Sequence, residues 1–136
     1  MATLKISDLS VGDWVQDENG NYVKIAGIWQ GHNFDYQVDL HRDGVIGTVV
    51  PCNIHSIPIT PEILEANGFV KNGEYDEWNI GTWETPYLLG VSLERPAITI
   101  KWNGSSIFID QAKYVHQLQH ALRLAGVDKE IVMPNK

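Results

Sequence analysis

The sequence predicts an α+β protein: two groups of short antiparallel strands, a short helix between them, and a C-terminal amphipathic helix. Three observations lead to this prediction. The first third alternates in hydrophobicity as half-buried strands do, a hairpin signal at Asn103-Gly104 separates two apolar runs, and apolar residues near the C-terminus recur with helical spacing. We therefore predict one compact domain over 1–136, with a β-barrel-like sub-lobe at 1–58 and an α+β sub-lobe at 59–136.

Four short strands are predicted in the first sub-lobe. Residues 22–29 are rich in β-branched and aromatic side chains, and residues 34–40 alternate between an apolar and a polar face. Residues 45–50 form a further apolar strand, which Pro51 ends, and residues 12–15 open the first strand. Short strands joined by tight turns predict a small, strongly bent antiparallel barrel of the Src-homology-3-like kind.

A short helix connects the two sub-lobes. Thr60 is placed to cap the first amides of this helix, and Pro61 suits its first position because proline has no amide to leave unsatisfied. Ile63 and Leu64 give the helix a buried side, and Gly68 ends it.

The second sub-lobe is predicted to be an antiparallel sheet covered by the C-terminal helix. Residues 70–95 are rich in glycine, glutamate and aromatics, and predict irregular strands with long loops. Beyond them, a two-residue hairpin loop pairs Ile98 with Ile109, Ile100 with Ile107, and Thr99 with Phe108. This register places four isoleucines on one face, which we expect the C-terminal helix to cover.

The C-terminal helix is predicted within residues 111–126. Its apolar side consists of Val115, Leu118, Ala121, Leu122 and Ala125, with Tyr114 beside them. Its polar side consists of Lys113, His116, Gln117, Gln119, His120 and Arg123. The pattern indicates one side packed on the core and one side in solvent.

Composition and charge restrict the classes of function. Hydrophobic residues make up 43% of the chain and charged residues 20%, as in ordinary globular proteins, and the formal net charge is −7. An acidic surface repels phosphate backbones, so nucleic-acid binding is not expected over most of the molecule. Only residues 95–136, with six basic against three acidic residues, offer a cationic face.

The sequence also bears on the compartment of the protein. No N-terminal apolar run suggests a signal peptide, and no stretch reaches the roughly 18 apolar residues that suggest a membrane span. Cys52 is the single cysteine, which excludes an internal disulfide. We expect a cytoplasmic protein that does not contact membranes.

Three segments of the chain form a distinctive pattern. Residues 9–15 are similar to an "(R/V)-G-(N/D)-(W/Y)-V" start, residues 57–64 with 68–69 to a "PIPLT-E-L…GF" segment, and residues 113–119 match "KYVHQLQ". Together they resemble a family of uncharacterised small proteins from gut-bacterial genomes, prophages and other mobile elements. The resemblance covers nearly the full length. It implies an association with mobile DNA and implies no assigned reaction.

His116 and His120 have the spacing of two metal ligands. Residues four apart on a helix have Cβ atoms about 6 Å from each other, as in the zinc-binding helix of many metalloproteases. The position of the catalytic glutamate, however, is Gln117, which accepts no proton at neutral pH. Lys113 and Arg123 on the same side would repel a dication. We predict no metal site, no cofactor and no catalytic residue.

Other chemical candidates have simpler explanations. Three further histidines lie in or beside predicted turns, near aspartates that could act with them as acid and base: His32, His41 and His55, with Asp35, Asp39 and Asp43. The solvated face of an edge strand accounts for these aspartates without catalysis. Cys52, just past an apolar strand, is expected to pack as a small side chain.

An aromatic and acidic segment is the most distinctive surface candidate. Trp78, Trp83 and Tyr87 lie in a charged, glycine-containing stretch that is poor in aliphatic residues. They either cap the core or form an exposed contact patch with an acidic rim; stacking on a sugar is a third use of the same rings. With the basic side of the C-terminal helix, the predicted binding patch consists of Trp78, Trp83, Tyr87, Lys113, His116, His120 and Arg123.

These observations predict a non-enzymatic protein-interaction module of a phage or mobile-element context, with another protein as its partner. Two alternatives stay open. One is a small metal-dependent hydrolase that uses His116 and His120. The other is a specific nucleic-acid binder that uses the basic face of the C-terminal helix.

Overall fold

The computed structural model describes residues 6–30, 36–42, 44–49, 53–72, 77–81, 87–102, 105–127 and 129–134. The chain divides into two compact units, Met1–Ile57 and Pro58–Lys136. Each unit holds one antiparallel sheet, and the second also holds two helices, so the predicted α+β class is confirmed. Neither helix in the described residues has the length and apolar character needed to cross a membrane.

The first unit is a meander of four strands. A 3₁₀ turn, Ile6–Asp8, precedes β1 (Trp14–Gln16), β2 (Tyr22–Gln30), β3 (Tyr36–Arg42) and β4 (Val45–Val49), which pair in chain order. β1 and β4 are the ends of this sheet, so the four strands form no closed barrel within the described residues.

One face of this sheet carries the core of the first unit. The core consists of Leu9, Val15, Val23, Ile25, Val38, Leu40 and Ile54, with Ile28 and Val49 packed against it. The predicted alternation of β3 is confirmed at Val38 and Leu40, which are buried with the partly exposed Asp39 between them, but not at Tyr36, which is 50% exposed at the start of the strand. A bulge between Ile25 and Gly27 shifts the register of β2 on β3, and bulges of this kind bend a strand.

Two buried aspartates fix the turns around β1. Asp13 Oδ2 accepts a hydrogen bond of 2.8 Å from the Ser10 amide. Asp17 Oδ1 accepts bonds of 2.9 Å from the amides of Asn19 and Asn21, which holds the loop that leads into β2. Short side-chain acceptors of this kind stand in for backbone partners in tight turns.

The second unit contains five strands and both helices. The elements are α1 (Pro61–Ala66), β5 (Val70–Lys71), β6 (Trp78–Gly81), β7 (Tyr87–Ser92), β8 (Ala97–Trp102), β9 (Ser105–Asp110) and α2 (Val115–Leu124). The strands pair in chain order from β5 to β9. The prediction of irregular strands over 70–95 is wrong for the described part, since β6 and β7 pair in an unbroken antiparallel register. Cross-strand packing, which local composition does not reveal, makes these strands regular.

The predicted ends of α1 are confirmed. Thr60 Oγ1 accepts a hydrogen bond of 3.3 Å from the Ile63 amide, and Pro61 is the first helical residue. Gly68 has a φ of +84°, which favours glycine at a helix end. Ile63 and Leu64 are both buried, as predicted.

The predicted register of the last hairpin is also confirmed. Ile98 pairs with Ile109, Ile100 with Ile107, and Thr99 with Phe108. The loop Asn103-Gly104 lies outside the described residues. Ile98 and Ile100 are buried and α2 contacts β8, so the helix packs on this sheet as expected. The expectation that it covers all four isoleucines is wrong, because Ile107 is 40% exposed and Ile109 is only partly buried on the edge strand.

The buried side of α2 is wider than its apolar side. Val115, Leu118, Ala121 and Leu122 are buried as predicted, but His116 and Gln119 are buried as well. The assignment of His116 and Gln119 to a solvated face was therefore wrong. The physical reason for His116 is aromatic packing: its ring stacks on Tyr114, with centroids 5.9 Å apart and planes at 8°.

Candidate functional site

The solvent-facing side of the first sheet presents an ordered row of unlike side chains. Register places Trp14 on β1 beside Lys24 on β2, Lys24 beside His41 on β3, and His41 beside Ile46 on β4. Lys24 Nζ lies 5.1 Å from the centroid of the Trp14 ring, within the range of a cation–π contact. Ile46 is 60% exposed at the end of this row.

A second row beside the first is built around Asp39. Asp39 pairs with Gly27 on one side and with Thr48 on the other. Its Oδ1 accepts hydrogen bonds from Thr48 Oγ1 at 2.7 Å and from Trp29 Nε1 at 3.2 Å. These bonds hold the Trp29 ring in place although 43% of the residue is exposed.

The same hydrogen bonds favour the ionised form of Asp39. The bond from Thr48, and then that from Trp29, lower the pKa of the Asp39 carboxyl below its ordinary value of 3.8, because both donors favour the charged form. Oδ2 faces Gly27, where a Cβ atom would lie 3.4 Å from it, so no side chain from β2 covers this oxygen. The arrangement presents a fixed negative charge beside an exposed indole ring.

We name this surface the tryptophan face. It consists of Trp14, Lys24, Trp29, Asp39, His41, Ile46 and Thr48. Its exposed apolar groups and its oriented carboxylate are the features of contact surfaces that bind through a few anchoring side chains. None of its residues belongs to the predicted binding patch.

Replacing Thr48 with valine is expected to raise the pKa of Asp39 towards 3.8, because the strongest donor to the carboxylate is lost. The folded pKa lies below the unfolded one, so ionised Asp39 stabilises the fold above about pH 4, and this stabilisation is lost as the pH falls through the folded pKa. A carbon-13 NMR titration of the carboxyl group measures the shift. Thr48→Ser keeps the hydroxyl and is expected to titrate like the wild type; equal pKa values in all three proteins would contradict this account.

The structure describes the surroundings of one member of the predicted aromatic patch, Trp78. Trp78 is only 6% exposed, so it caps the core of the second unit and does not form a contact patch. The side chain is buried because Trp78 faces Val91 on the side of the sheet that α2 covers. Tyr87 is the first residue of β7, paired with Trp102, and Trp83 lies outside the described residues.

The basic members of the predicted patch also have different surroundings. Lys113 and Arg123 are exposed, His120 is partly exposed, and His116 is buried. The His116 and His120 rings meet edge to face, with centroids 5.8 Å apart and planes at 69°. They therefore form a ring-packing contact together with Tyr114, and His116 is not part of an exposed basic face.

Gln117 has a structural role at the start of α2. Its Oε1 accepts hydrogen bonds from the amides of Lys113, at 2.8 Å, and Tyr114, at 3.0 Å. A glutamine at this position satisfies amides that the helix itself leaves without acceptors. Gln117 stands where a metalloprotease has its catalytic glutamate, and here its side chain is hydrogen-bonded to the backbone just before the helix.

Of the remaining acid and base candidates, only His41 and Asp39 lie near each other, two residues apart on the same face of β3, while Asp35 and Asp43 lie outside the described residues. His41 is exposed on the tryptophan face, and His55 exchanges backbone hydrogen bonds of 2.8 and 2.9 Å with Gln16. His32 and Cys52 lie outside the described residues. Among the residues described, no three His, Cys, Asp or Glu side chains are grouped so that they could hold a metal ion.

Sequence reasoning could have found part of the tryptophan face. Strict alternation predicts Asp39 on the solvated side of β3, where the structure places it. The partners of Asp39 could not be found, because Trp29 and Thr48 lie ten and nine residues away and meet it only through the pairing of three strands.

Comparison with known proteins gives no family assignment. No protein-family model matches the chain, and neither the curated proteins nor the solved structures that were compared include a match.

Proposed function

We propose that this protein is a non-enzymatic protein-interaction module and that the tryptophan face is its contact surface. The observation that supports the proposal is the position of Trp29 and Ile46, 43% and 60% exposed, on either side of the ionised Asp39. Burying both side chains in a complex would remove apolar surface from water, and each Å² of such surface contributes about 25 cal/mol. Tryptophan is also the residue most often found as an interface anchor.

The partner's chemistry follows from the charges around this face. The first unit has three lysine or arginine residues against seven aspartate or glutamate residues, a net charge of −4. Asp39 adds a fixed acceptor that favours a lysine or arginine in the complex. We propose a protein partner that packs apolar side chains against Trp29 and Ile46 and places a basic side chain against Asp39 between them.

Trp29→Ala and Ile46→Asp are each expected to reduce partner recovery at least tenfold, which corresponds to about 1.4 kcal/mol. The measurement is affinity capture from a native host lysate treated with nuclease, with quantitative mass spectrometry of the captured proteins. Tyr36→Ala is the matched control, because Tyr36 is 50% exposed at the start of β3 but lies on the same face as the core residue Val38, opposite to the tryptophan face.

Two outcomes of this capture would contradict the proposal. If Trp29→Ala, Ile46→Asp and Tyr36→Ala all retain the same partner, the tryptophan face is not the contact surface. If the captured proteins are lost on nuclease treatment, the alternative of a nucleic-acid binder is favoured. The affinity of this protein for nucleic acid should then fall steeply as the salt concentration rises.

The metal-dependent hydrolase has less support than the interaction module. Its two histidines pack against each other and Tyr114, and Gln117 is bound to backbone amides. Zinc that stabilises the wild type, with the effect lost in His116→Ala, would favour this alternative over the one proposed.

Three further aspects belong to the same proposal. The first unit is proposed to be a Src-homology-3-like barrel, supported by the bulge in β2 and by the bridge from Gln16 to His55, which brings a fifth strand-like segment to β1. The mobile-element context is supported by the three motif segments alone. A cytoplasmic location suits a chain whose single cysteine can form no internal disulfide.

A further inference from the structure

β9 is an edge strand that lacks the usual protection of edges. It pairs with β8 alone among the described strands, in a register that runs unbroken from Ser105 to Asp110. It contains no proline, lysine or bulge, and Ile107 and Phe108 are 40% and 66% exposed. Native edge strands are normally shortened, charged or bulged, because their outward amides and carbonyls otherwise pair with another strand.

The opposite edge of the same sheet provides a contrast. β5 has only two residues, and one of them is Lys71, so it has the protection that β9 lacks. Val70 on β5 and Phe108 on β9 end the same cross-strand row, through Asn79, Gly90 and Thr99. The two edges therefore differ in length and charge but present similarly exposed apolar side chains, at 70% and 66%.

We propose that β9 pairs antiparallel with β9 of a second copy of this chain, which joins two sheets into one. This interaction goes beyond the proposed partner binding, because it uses the second unit and not the tryptophan face. A two-fold axis through Phe108 places each Phe108 opposite its own copy, each Ile107 opposite Ile109, and each Ser106 opposite Asp110. In an antiparallel strand, the N–H and C=O groups of alternate residues point to the same neighbouring strand. This register pairs even-numbered residues with even-numbered ones, so the outward N–H and C=O groups of one β9 strand meet those of the other.

Charge complementarity selects the second copy as the occupant and fixes the register. Lys101 on β8 is the cross-strand neighbour of Ser106. In the proposed pairing, Asp110 of the second copy lies on the other side of Ser106, two strand spacings or about 10 Å from Lys101 between Cα atoms. The long side chain of Lys101 spans much of that distance, and the small side chain of Ser106 between the two residues does not block it. The two-fold axis repeats this pair, so two opposite-charge pairs flank the central Phe108 contact.

Other registers lose these contacts. A shift that centres the axis on Ile107 places Phe108 opposite Ser106 and moves Asp110 past the end of the partner strand. A shift that centres it on Ile109 places Phe108 opposite Asp110. The register through Phe108 thus combines aromatic pairing, isoleucine pairing and complementary charge, each of which stabilises neighbouring strands.

The dimer is tested by its mass in solution. Analytical ultracentrifugation of the full chain at about 100 µM, a concentration that suits small interfaces, is expected to detect dimer. Phe108→Lys is expected to give monomer, because it places two like charges opposite each other at the axis. Val70→Lys makes the same change at the other end of the same row and is expected to leave the dimer intact. Wild type that is monomeric at this concentration, or Val70→Lys and Phe108→Lys that behave alike, would overturn the proposal.

Two further sets of variants test the register. Lys101→Asp and Asp110→Lys are each expected to weaken the dimer at least threefold, and the double variant to restore it. In a Cys52→Ser background, Phe108→Cys is expected to form an interchain disulfide on mild oxidation, since facing residues lie within bridging distance. Ser106→Cys is not expected to cross-link, because the two copies of this position are four residues out of register. Cross-linking of Ser106→Cys but not Phe108→Cys would overturn the assigned register.

Because the two proposals use different units, their failures are distinguishable. Loss of the dimer in Phe108→Lys with partner capture retained separates the two surfaces. Circular dichroism spectra that match the wild type show that each variant is folded.

Discussion

Asn67→Ala is expected to destabilise the protein by about 3 kcal/mol. Asn67 is 3% exposed, and its side chain makes three hydrogen bonds of 2.8 Å. Nδ2 donates to the Ile63 and Val132 carbonyls, and Oδ1 accepts from the Val132 amide. Alanine would leave the buried Ile63 carbonyl without this donor and would remove both bonds to the part-buried Val132 backbone.

The loss of stability in Asn67→Ala is expected mainly where the C-terminal segment attaches to α1. The two bonds to Val132 imitate a strand pair between residues 65 positions apart. Ile131, the preceding residue, is 1% exposed and is held in the core by this attachment. We expect the segment around Ile131 to open before the rest of the unit does, because local stability follows from local contacts.

Urea unfolding measures the total effect on stability, and hydrogen exchange at the Val132 amide measures the local one. Glu65→Ala is the control, since Glu65 is exposed on the same helix and its removal is expected to change stability by less than about 0.5 kcal/mol. Asn67→Asp keeps the acceptor oxygen but replaces the donating Nδ2 with a second oxygen, which faces the Ile63 and Val132 carbonyls. It is therefore expected to lose as much stability as Asn67→Ala. A Val132 amide that stays protected in Asn67→Ala would refute this role.

Asp17→Ala is expected to cost about 2–4 kcal/mol of the free energy of unfolding. Asp17 is 2% exposed, and its Oδ1 accepts both amides of the loop before β2, at 2.9 Å each. Its Oδ2 lies 3.7 Å from Arg42 Nε, a buried atom that makes no hydrogen bond among the described residues. Alanine would remove the turn's acceptor and the buried counter-charge of Arg42 together.

Glu18→Ala is the matched control for Asp17→Ala. Glu18 binds the same arginine, with Oε2 3.3 Å from Arg42 Nη2, but its side chain is 42% exposed. Exposed pairs of this kind contribute about 0–1 kcal/mol, so the control is expected to lose far less stability. Chemical unfolding of both variants provides the comparison. Similar losses would show that the buried turn does not depend on Asp17.

Local sequence rules determined much of this fold. Thr60, Pro61 and Gly68 specify α1 because helix capping depends on residues that are adjacent in the chain. The register of β8 and β9 follows from the length of their loop, and the pairing of Ile98 with Ile109 is its direct result. Both features need no information from distant parts of the chain.

Side-chain environments depended on information that the local pattern lacks. Trp78 lies in a polar, glycine-containing segment, yet it is buried, and β7 places it opposite the buried Val91. His116 belongs to the polar side of its helix by spacing, yet stacking on Tyr114 buries it. Hydropathy describes a residue by itself, whereas burial depends on what packs against it.

The sequence by itself determined the α+β class, the ends of α1, the alternation of β3 and the register of the last hairpin, because each is set by neighbours along the chain. Only the tertiary structure decided the tryptophan face, the attachment of the C-terminal segment by Asn67 and the loss of His116 from the exposed basic face. Each of these depends on strands or segments that meet through folding. A side chain's chemistry is fixed by its own residue type, but its role is fixed by the partners that the whole fold brings to it.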